Sequence, residues 1–159
     1  MTIAAPEVQD MTSTDRIEKR VEVRASRSRV WRAIATAEEF GAWFRVNLEG
    51  EFAEGETTRG KITIPRYDHV TVALQVERID PERYFSYRWH PYAVDPAVDY
   101  SAEPTTLVEF ILDETEGGTA VTIVESGFDR IPLERRAEAF RMNDGGWAGQ
   151  ARNLAQHVS

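Results

Sequence analysis

From residue 69 to residue 128 the chain alternates apolar and polar residues in short segments separated by turn residues, and a single long helical repeat follows. Few folds satisfy that order. HVTVALQVERI (69–79) sets Val70, Val72, Leu74 and Val76 in one phase. Asp80-Pro81-Glu82 turns the chain, and RYFSYRWH (83–90) returns with Phe85, Tyr87 and Trp89 on one face. TTLVEFILDE (105–114) and TAVTIVESGF (119–128) make a hairpin across Glu116-Gly117-Gly118. Period-two alternation bounded by such turns marks half-buried strands, and hairpin links make the sheet antiparallel. After Pro132, residues Leu133, Ala137, Phe140, Asp144, Trp147, Ala151, Leu154 and Val158 step by four and three, the spacing of one helical face. A helix arriving last can bury that face only against the sheet. Because a twisted sheet curls, a helix across its concave side leaves a space unless large side chains fill it.

The first third supplies the remaining elements. RIEKRVEVRA (16–25) reads as a strand with Ile17, Val21, Val23 and Ala25 in phase, interrupted by Lys19. SRSRVWRAIATAEEFGAWF predicts two short helices, with Ser26 or Ser28 as the first N-cap, Thr36 as the second, and Gly41 as a break. NLEGEFAEGE is turn-rich around Gly50 and Gly55 with a short strand expected between them, and RGKITIP (59–65) is a strand stopped by Pro65. The expected architecture is α+β: a curved antiparallel sheet of about six to seven strands around a long C-terminal helix, with two short helices after the first strand.

Residues 1–15 are small, polar and weakly acidic and read as a mobile tail, leaving one domain over 16–159. They carry neither a basic n-region nor a long apolar stretch, so a secretory signal is not expected. No run approaches the ~20 apolar residues that span a bilayer, so membrane insertion is not expected. Net charge is −8 with a pI near 5.0, which disfavours a phosphate backbone as partner. The absence of cysteine excludes disulfides and thiolate chemistry and fits a cytoplasmic location.

The stretch RMNDGGWAGQ (141–150) places three glycines beside a tryptophan inside the long helix. Each glycine costs a helix interior about 1 kcal/mol relative to alanine. Either the helix is thinned over a cavity, with Trp147 as wall and Asn143, Asp144 or Gln150 as polar contacts, or Asp144 breaks the helix and the glycines permit close packing. Glu125 shares the strand phase of Thr119, Val121 and Ile123, facing the helix, with Arg88, His90, Tyr87 or Arg45 as candidate partners. It either orients a ligand or handles protons there, or it reaches solvent at the strand end. Trp43, Phe44, Phe85, Tyr87, Trp89, Phe110 and Trp147 form a core or line a cavity, Phe140 shares the helix face of Trp147, and His90 stands at a mouth formed by loop 91–104. Arg136 has the phase to reach the cavity mouth or to pair with an acid of that loop, whereas Arg135 falls on the outer face. The three histidines lack metal-ligand spacing, and no nucleotide-binding or nucleophile-elbow motif occurs, so no metal and no cofactor are expected.

VEVRASRSRVWRAIATAEEFGAWF, the pair DPERYFSYRW, the hairpin GGTAVTIVESGF and the closing GGWAGQARNLAQHV, in this order, resemble the START-like superfamily with its helix-grip fold. Within it the chain is most similar to homologues of the activator of the heat-shock-protein-90 ATPase. The resemblance covers about residues 16–158. It implies a cavity between sheet and closing helix, and first a binding protein for a hydrophobic small molecule, with loop 91–104 as lid. Second comes a cyclase- or hydrolase-like enzyme using Glu125 or Asp144, and third a chaperone-binding protein. The co-factor that names the family carries a further N-terminal domain where this chain has a 15-residue segment. Oligomeric state is not specified by any of these features.

Overall fold

The computed structural model describes residues 14–159; residues 1–13, most of the predicted tail, lie outside the described residues. Thr14 and Asp15 are tied to the far end of the fold. The Thr14 hydroxyl donates to Asp129 Oδ1 at 2.7 Å, and the Asp15 carbonyl accepts from the backbone N–H groups of Gly127 and Phe128.

Seven strands form one antiparallel sheet in the order β1-β7-β6-β5-β4-β3-β2. They are β1 (Arg16–Val23), β2 (Val46–Leu48), β3 (Thr57–Ile62), β4 (Thr71–Asp80), β5 (Tyr84–Trp89), β6 (Thr106–Thr115) and β7 (Gly118–Ser126). Helices α1 (Arg27–Ala35) and α2 (Ala37–Phe44) follow β1. A 3₁₀ turn (Phe128–Arg130) leads into α3 (Leu133–Val158). This is the predicted helix-grip arrangement, except that the short strand expected between Gly50 and Gly55 lies instead before Gly50, as β2.

Local chemistry explains the boundaries. Ser26, rather than Ser28, caps α1: its hydroxyl accepts from the Arg29 N–H at 3.1 Å, while Ser28 donates to Glu82. The chain breaks at Thr36, in extended conformation, and not at Gly41. Gly41 lies inside α2, where a Cβ would collide with the Val46 carbonyl, so the glycine serves close approach.

Register sets the concave face. Phe85 pairs with Phe110, which pairs with Ile123, which pairs with Lys19. The next row runs Val76, Tyr87, Val108, Glu125, Ile17, all buried. Lys19 therefore keeps strand parity and points inward, reaching across to Asp144 of α3 at 2.9 Å. That ion pair explains the interruption seen in the apolar phase of β1.

Helix α3 runs unbroken through its glycines, so Asp144 neither caps nor ends it. It buries Ala139, Trp147, Ala151, Leu154 and Val158, chiefly against β1 and the two short helices. Leu133 and Ala137, predicted for the same face, are exposed, Leu133 by 75%. The first turns of the helix meet the 3₁₀ turn and loop 91–104 instead of the sheet, with Phe140 against Phe128 at 5.2 Å between ring centroids. The buried side there rotates towards Arg135 and Ala139.

Candidate functional site

The centre of the site is a carboxylate with no access to water. Glu125 is fully buried on β7 and accepts four hydrogen bonds. Trp147 Nε1 and Asn143 Nδ2 donate to Oε1 at 2.7 and 2.9 Å. Trp89 Nε1 and Thr106 Oγ1 donate to Oε2 at 2.7 and 2.6 Å. The backbone prepares this arrangement. Trp89 pairs with Thr106 across β5 and β6, and Thr106 stands two residues from Val108, the strand partner of Glu125. Asn143 and Trp147 are one helical turn apart on α3. Burial raises the Glu125 pKa above the ordinary carboxylate value, while the bonds from Thr106, Trp89, Trp147 and Asn143 each pull it down. An indole N–H and an amide N–H can only donate, so three of the four partners are matched to an acceptor.

The candidate partners read from sequence do not bond Glu125. Arg88 has the opposite strand parity and donates to Glu77 at 2.6 Å on the other face. His90 Nε2 donates to the Glu103 carbonyl at 3.1 Å. Tyr87 lies near enough for the Glu125 charge to act on it. Its phenol is pushed well up, by burial first and then by Glu125, and its hydroxyl lacks a hydrogen-bond partner among the described residues.

Glu125 fixes the orientation of two indoles. Trp89 and Trp147 lie 6.0 Å apart between ring centroids, and Phe44 packs on both at 5.9 and 5.8 Å. Gln150 holds the third ring in place by donating to the Phe44 carbonyl at 2.8 Å. These three rings form the inner wall of an open pocket of about 770 Å³. Its other sides are the apolar face of β3 and β4, loop 91–104, and residues 141–150 of α3. A Cβ added at Gly145 or Gly146 would meet nothing within 4 Å, and both residues line the pocket. Both glycines are exposed at the open side of the pocket, so they border open space rather than a close contact.

Loop 91–104 is strapped in position as a wall. Arg135 Nε donates to Glu103 Oε1 at 2.9 Å and Nη1 to the Pro91 carbonyl at 2.8 Å. Its Nη2 approaches Glu103 at 2.7 Å but out of line for a hydrogen bond, so that contact is Coulombic. The guanidinium also lies over the Tyr100 ring, 4.7 Å from its centroid. The loop-binding arginine is thus Arg135, not Arg136, whose Nε donates to the Ile131 carbonyl. The loop lies beside the helix rather than beneath it, which the phase of the apolar face cannot reveal. His69 Nε2 donates to the Val94 carbonyl at 3.0 Å from the opposite rim.

Of the residues singled out from sequence, Phe44, Trp89, His90, Asn143 and Trp147 line the pocket. Glu125 stands directly behind Trp89, Asn143 and Trp147. Trp43, Tyr87 and Phe110 belong to a packed aromatic cluster around Phe40, with Trp43 Nε1 donating to the Ala33 carbonyl at 2.9 Å. Phe140 packs on Phe128, and Asp144 turns to Lys19. Sequence reasoning passed over Ile64, Tyr67, Val72, Val94 and Arg141, which also line the pocket. Only the alternation of Val72 carried any signal, because loop and rim positions have no period. Among the described residues, no three His, Asp or Glu side chains are grouped to hold a metal ion, and no helix is long and apolar enough to cross a membrane.

Solved structures share this architecture. A protein from Mesorhizobium loti is 20% identical with a TM-score of 0.71, over 90% of this chain and 96% of its own. The Aha1 dimer from Colwellia psychrerythraea is 17% identical with a TM-score of 0.66, over 90% of this chain and 95% of its own. DynU16, described as a putative protein in the dynemicin biosynthetic locus, is 22% identical with a TM-score of 0.69. That match covers 91% of this chain but 47% of DynU16. A search of curated proteins found no match. At these identities the likenesses establish the fold. The sequence itself matches the family described as Activator of Hsp90 ATPase homolog 1-like protein over residues 24–159, and the chain belongs to that family.

Proposed function

We propose that this protein binds a small, mainly apolar molecule in the pocket between β3, β4, loop 91–104 and the middle of α3. The observation that carries this reading is the pair Gly145 and Gly146. They thin a 26-residue helix where it borders open volume, next to Trp147 of the three-ring wall. Two glycines in a helix interior cost about 2 kcal/mol together relative to alanine, and here they bring no closer packing in return. Pockets for small organic molecules combine such apolar walls with a few placed polar groups, which Asn143 and Gln150 provide at this one.

Glu125 is read as a positioning residue. Both its oxygens are occupied and it stands behind the indoles, so a ligand on the wall touches what Glu125 holds rather than Glu125 itself. A cyclase- or hydrolase-like mechanism would need an acid or base in contact with the ligand, and this carboxylate is not so placed.

The test is Gly146→Leu. Leucine favours the helix by nearly 1 kcal/mol over glycine, and its side chain would project into the pocket. We expect the variant to unfold at higher temperature than the wild type while losing the thermal shift given by apolar compounds. It should also lose any small molecule that the wild type releases in denaturing, but not native, mass spectrometry. Ligand response undiminished in Gly146→Leu would place binding elsewhere and sink this reading.

A further inference from the structure

The pocket's charges are asymmetric. Arg141 is the one lysine or arginine among the lining residues, and Asp95 is the one acid. Asp95 is engaged in its own turn, with Oδ1 accepting from the Ala97 N–H at 2.9 Å. Arg141 forms no ion pair among the described residues. Several other arginines facing neighbouring elements are paired: Arg29 and Arg32 with Glu39, Arg88 with Glu77, Arg135 with Glu103. Arg141 is exposed, and an unpaired guanidinium at the rim of an apolar pocket has donors free to receive an anion.

The neighbours of Arg141 fit that role. Tyr67, in the β3–β4 connection, and Tyr92, at the start of loop 91–104, both line the pocket. The Tyr92 phenol is pushed up by burial, by its bond to the Tyr67 hydroxyl and by the charge of Glu138, and pulled down by Arg141. The two phenols bond each other at the mouth, and Arg141, with Glu138 one helical turn before it, lies near enough for its charge to act on Tyr92. Tyr92 holds a left-handed backbone (φ 49°), unusual for a bulky residue, and its carbonyl lies 3.4 Å from Arg135 Nη1. The strap thus holds an uncommon backbone conformation at the residue that brings a phenol beside Arg141.

We propose that the pocket takes an amphiphile whose apolar body lies on the Phe44–Trp89–Trp147 wall and whose carboxylate is received at the mouth by Arg141, with the Tyr67 and Tyr92 hydroxyls beside it. This inference rests on the pocket reading above and adds the chemical class of the ligand.

The experiment compares 2-naphthoic acid with 2-naphthamide, matched in shape and differing in charge, by tryptophan fluorescence titration of wild type, Arg141→Gln and Gly146→Leu. At low salt the acid should bind wild type about three- to fivefold more tightly than the amide, the size of a rim-exposed ion pair. The preference should shrink as salt is raised. In Arg141→Gln the two should bind alike, with amide affinity unchanged. Equal binding by wild type, or a preference surviving in Arg141→Gln, overturns the carboxylate assignment while leaving the pocket intact. Failure of both probes to bind wild type, or binding of both undiminished in Gly146→Leu, overturns the pocket reading and this inference with it.

Discussion

Glu125 shows how one buried residue can set the geometry of a wall it does not itself form. Four donors from three elements converge on it, and replacing it with glutamine leaves one end of the side chain a donor facing donors. Thr106 and Asn143 can turn to accept, but an indole N–H cannot. Glu125→Gln should therefore orphan one tryptophan N–H and cost about 1–3 kcal/mol, measured by urea unfolding at neutral pH. Stability should also respond to pH. The folded-state pKa of Glu125 is raised, so its favourable contribution is complete below the unfolded value near 4.5 and is lost as pH rises through the folded value. Glu39 has the opposite sign: burial opposes its ionisation, but bonds from His157, Arg29 and Arg32 hold its pKa below 4.5. Its contribution is present above 4.5 and falls away in acid. Subtracting the Glu125→Gln profile from the wild-type profile cancels Glu39. The difference should decline with rising pH above 4.5, and a flat difference would contradict burial as the dominant influence on Glu125. At the glycines the expectation is simpler. Gly145→Ala and Gly146→Ala should each stabilise by about 1 kcal/mol, because neither methyl meets another group. A loss of stability in either would mean that the helix needs those glycines for its own packing.

At the scale of elements, the strap on loop 91–104 is the feature most open to test. Arg135 and Glu103 are both largely buried, with side chains 16% and 18% exposed. Arg135→Met keeps the apolar stem and removes the charge, leaving Glu103 and two carbonyls without their donor. A cost of about 2 kcal/mol is expected, under the ~3–5 of a fully buried broken pair, together with faster proteolysis between residues 94 and 103. Unchanged proteolysis would show that His69 and His90 suffice to hold the loop. At α1, Ser26→Ala should cost about 1 kcal/mol in thermal unfolding, whereas Ser28→Ala should cost little, since only Ser26 bonds the first turn. These elements differ in how they could be read beforehand. The strands followed from alternation and turn residues, and strand parity alone turned Glu125 inward. The strap did not follow: helical phase favoured Arg136, and only the path of an irregular loop selects Arg135. The four donors to Glu125 were likewise beyond reach, because they depend on register across β5, β6 and β7 and on the placement of α3. The glycine-rich turn of α3 was visible as an anomaly, but its meaning turned on whether space lay beside it.

For the molecule as a whole, the sheet is unevenly supported. Strands β5 and β6 carry the buried aromatic residues, β7 continues their rows with Ile123 and Glu125, β1 closes one edge, and α3 lies chiefly on that side. At the other edge β2 is only three residues long, and β3 and β4 border the pocket rather than the helix. Few apolar contacts and a short edge strand lower the free energy of local opening. Although β1 is also an edge strand, it pairs with β7 along its whole length and is covered by α3, so both a full ladder and the helix hold it. The two ends of the sheet should therefore separate in native-state hydrogen exchange. Amides of β1, β6 and β7 should exchange only through global unfolding, with the full denaturant dependence. Those of β2 and β3 should exchange through smaller openings of weak denaturant dependence, in ligand-free protein. An apolar molecule in the pocket would supply the contacts that β3 and β4 lack, so it should draw the β3 amides towards the global rate. If β2 and β3 already exchange with the global transition before any ligand is added, the pocket edge is as firmly built as the rest of the sheet. The free volume beneath it would then cost the fold nothing in local stability.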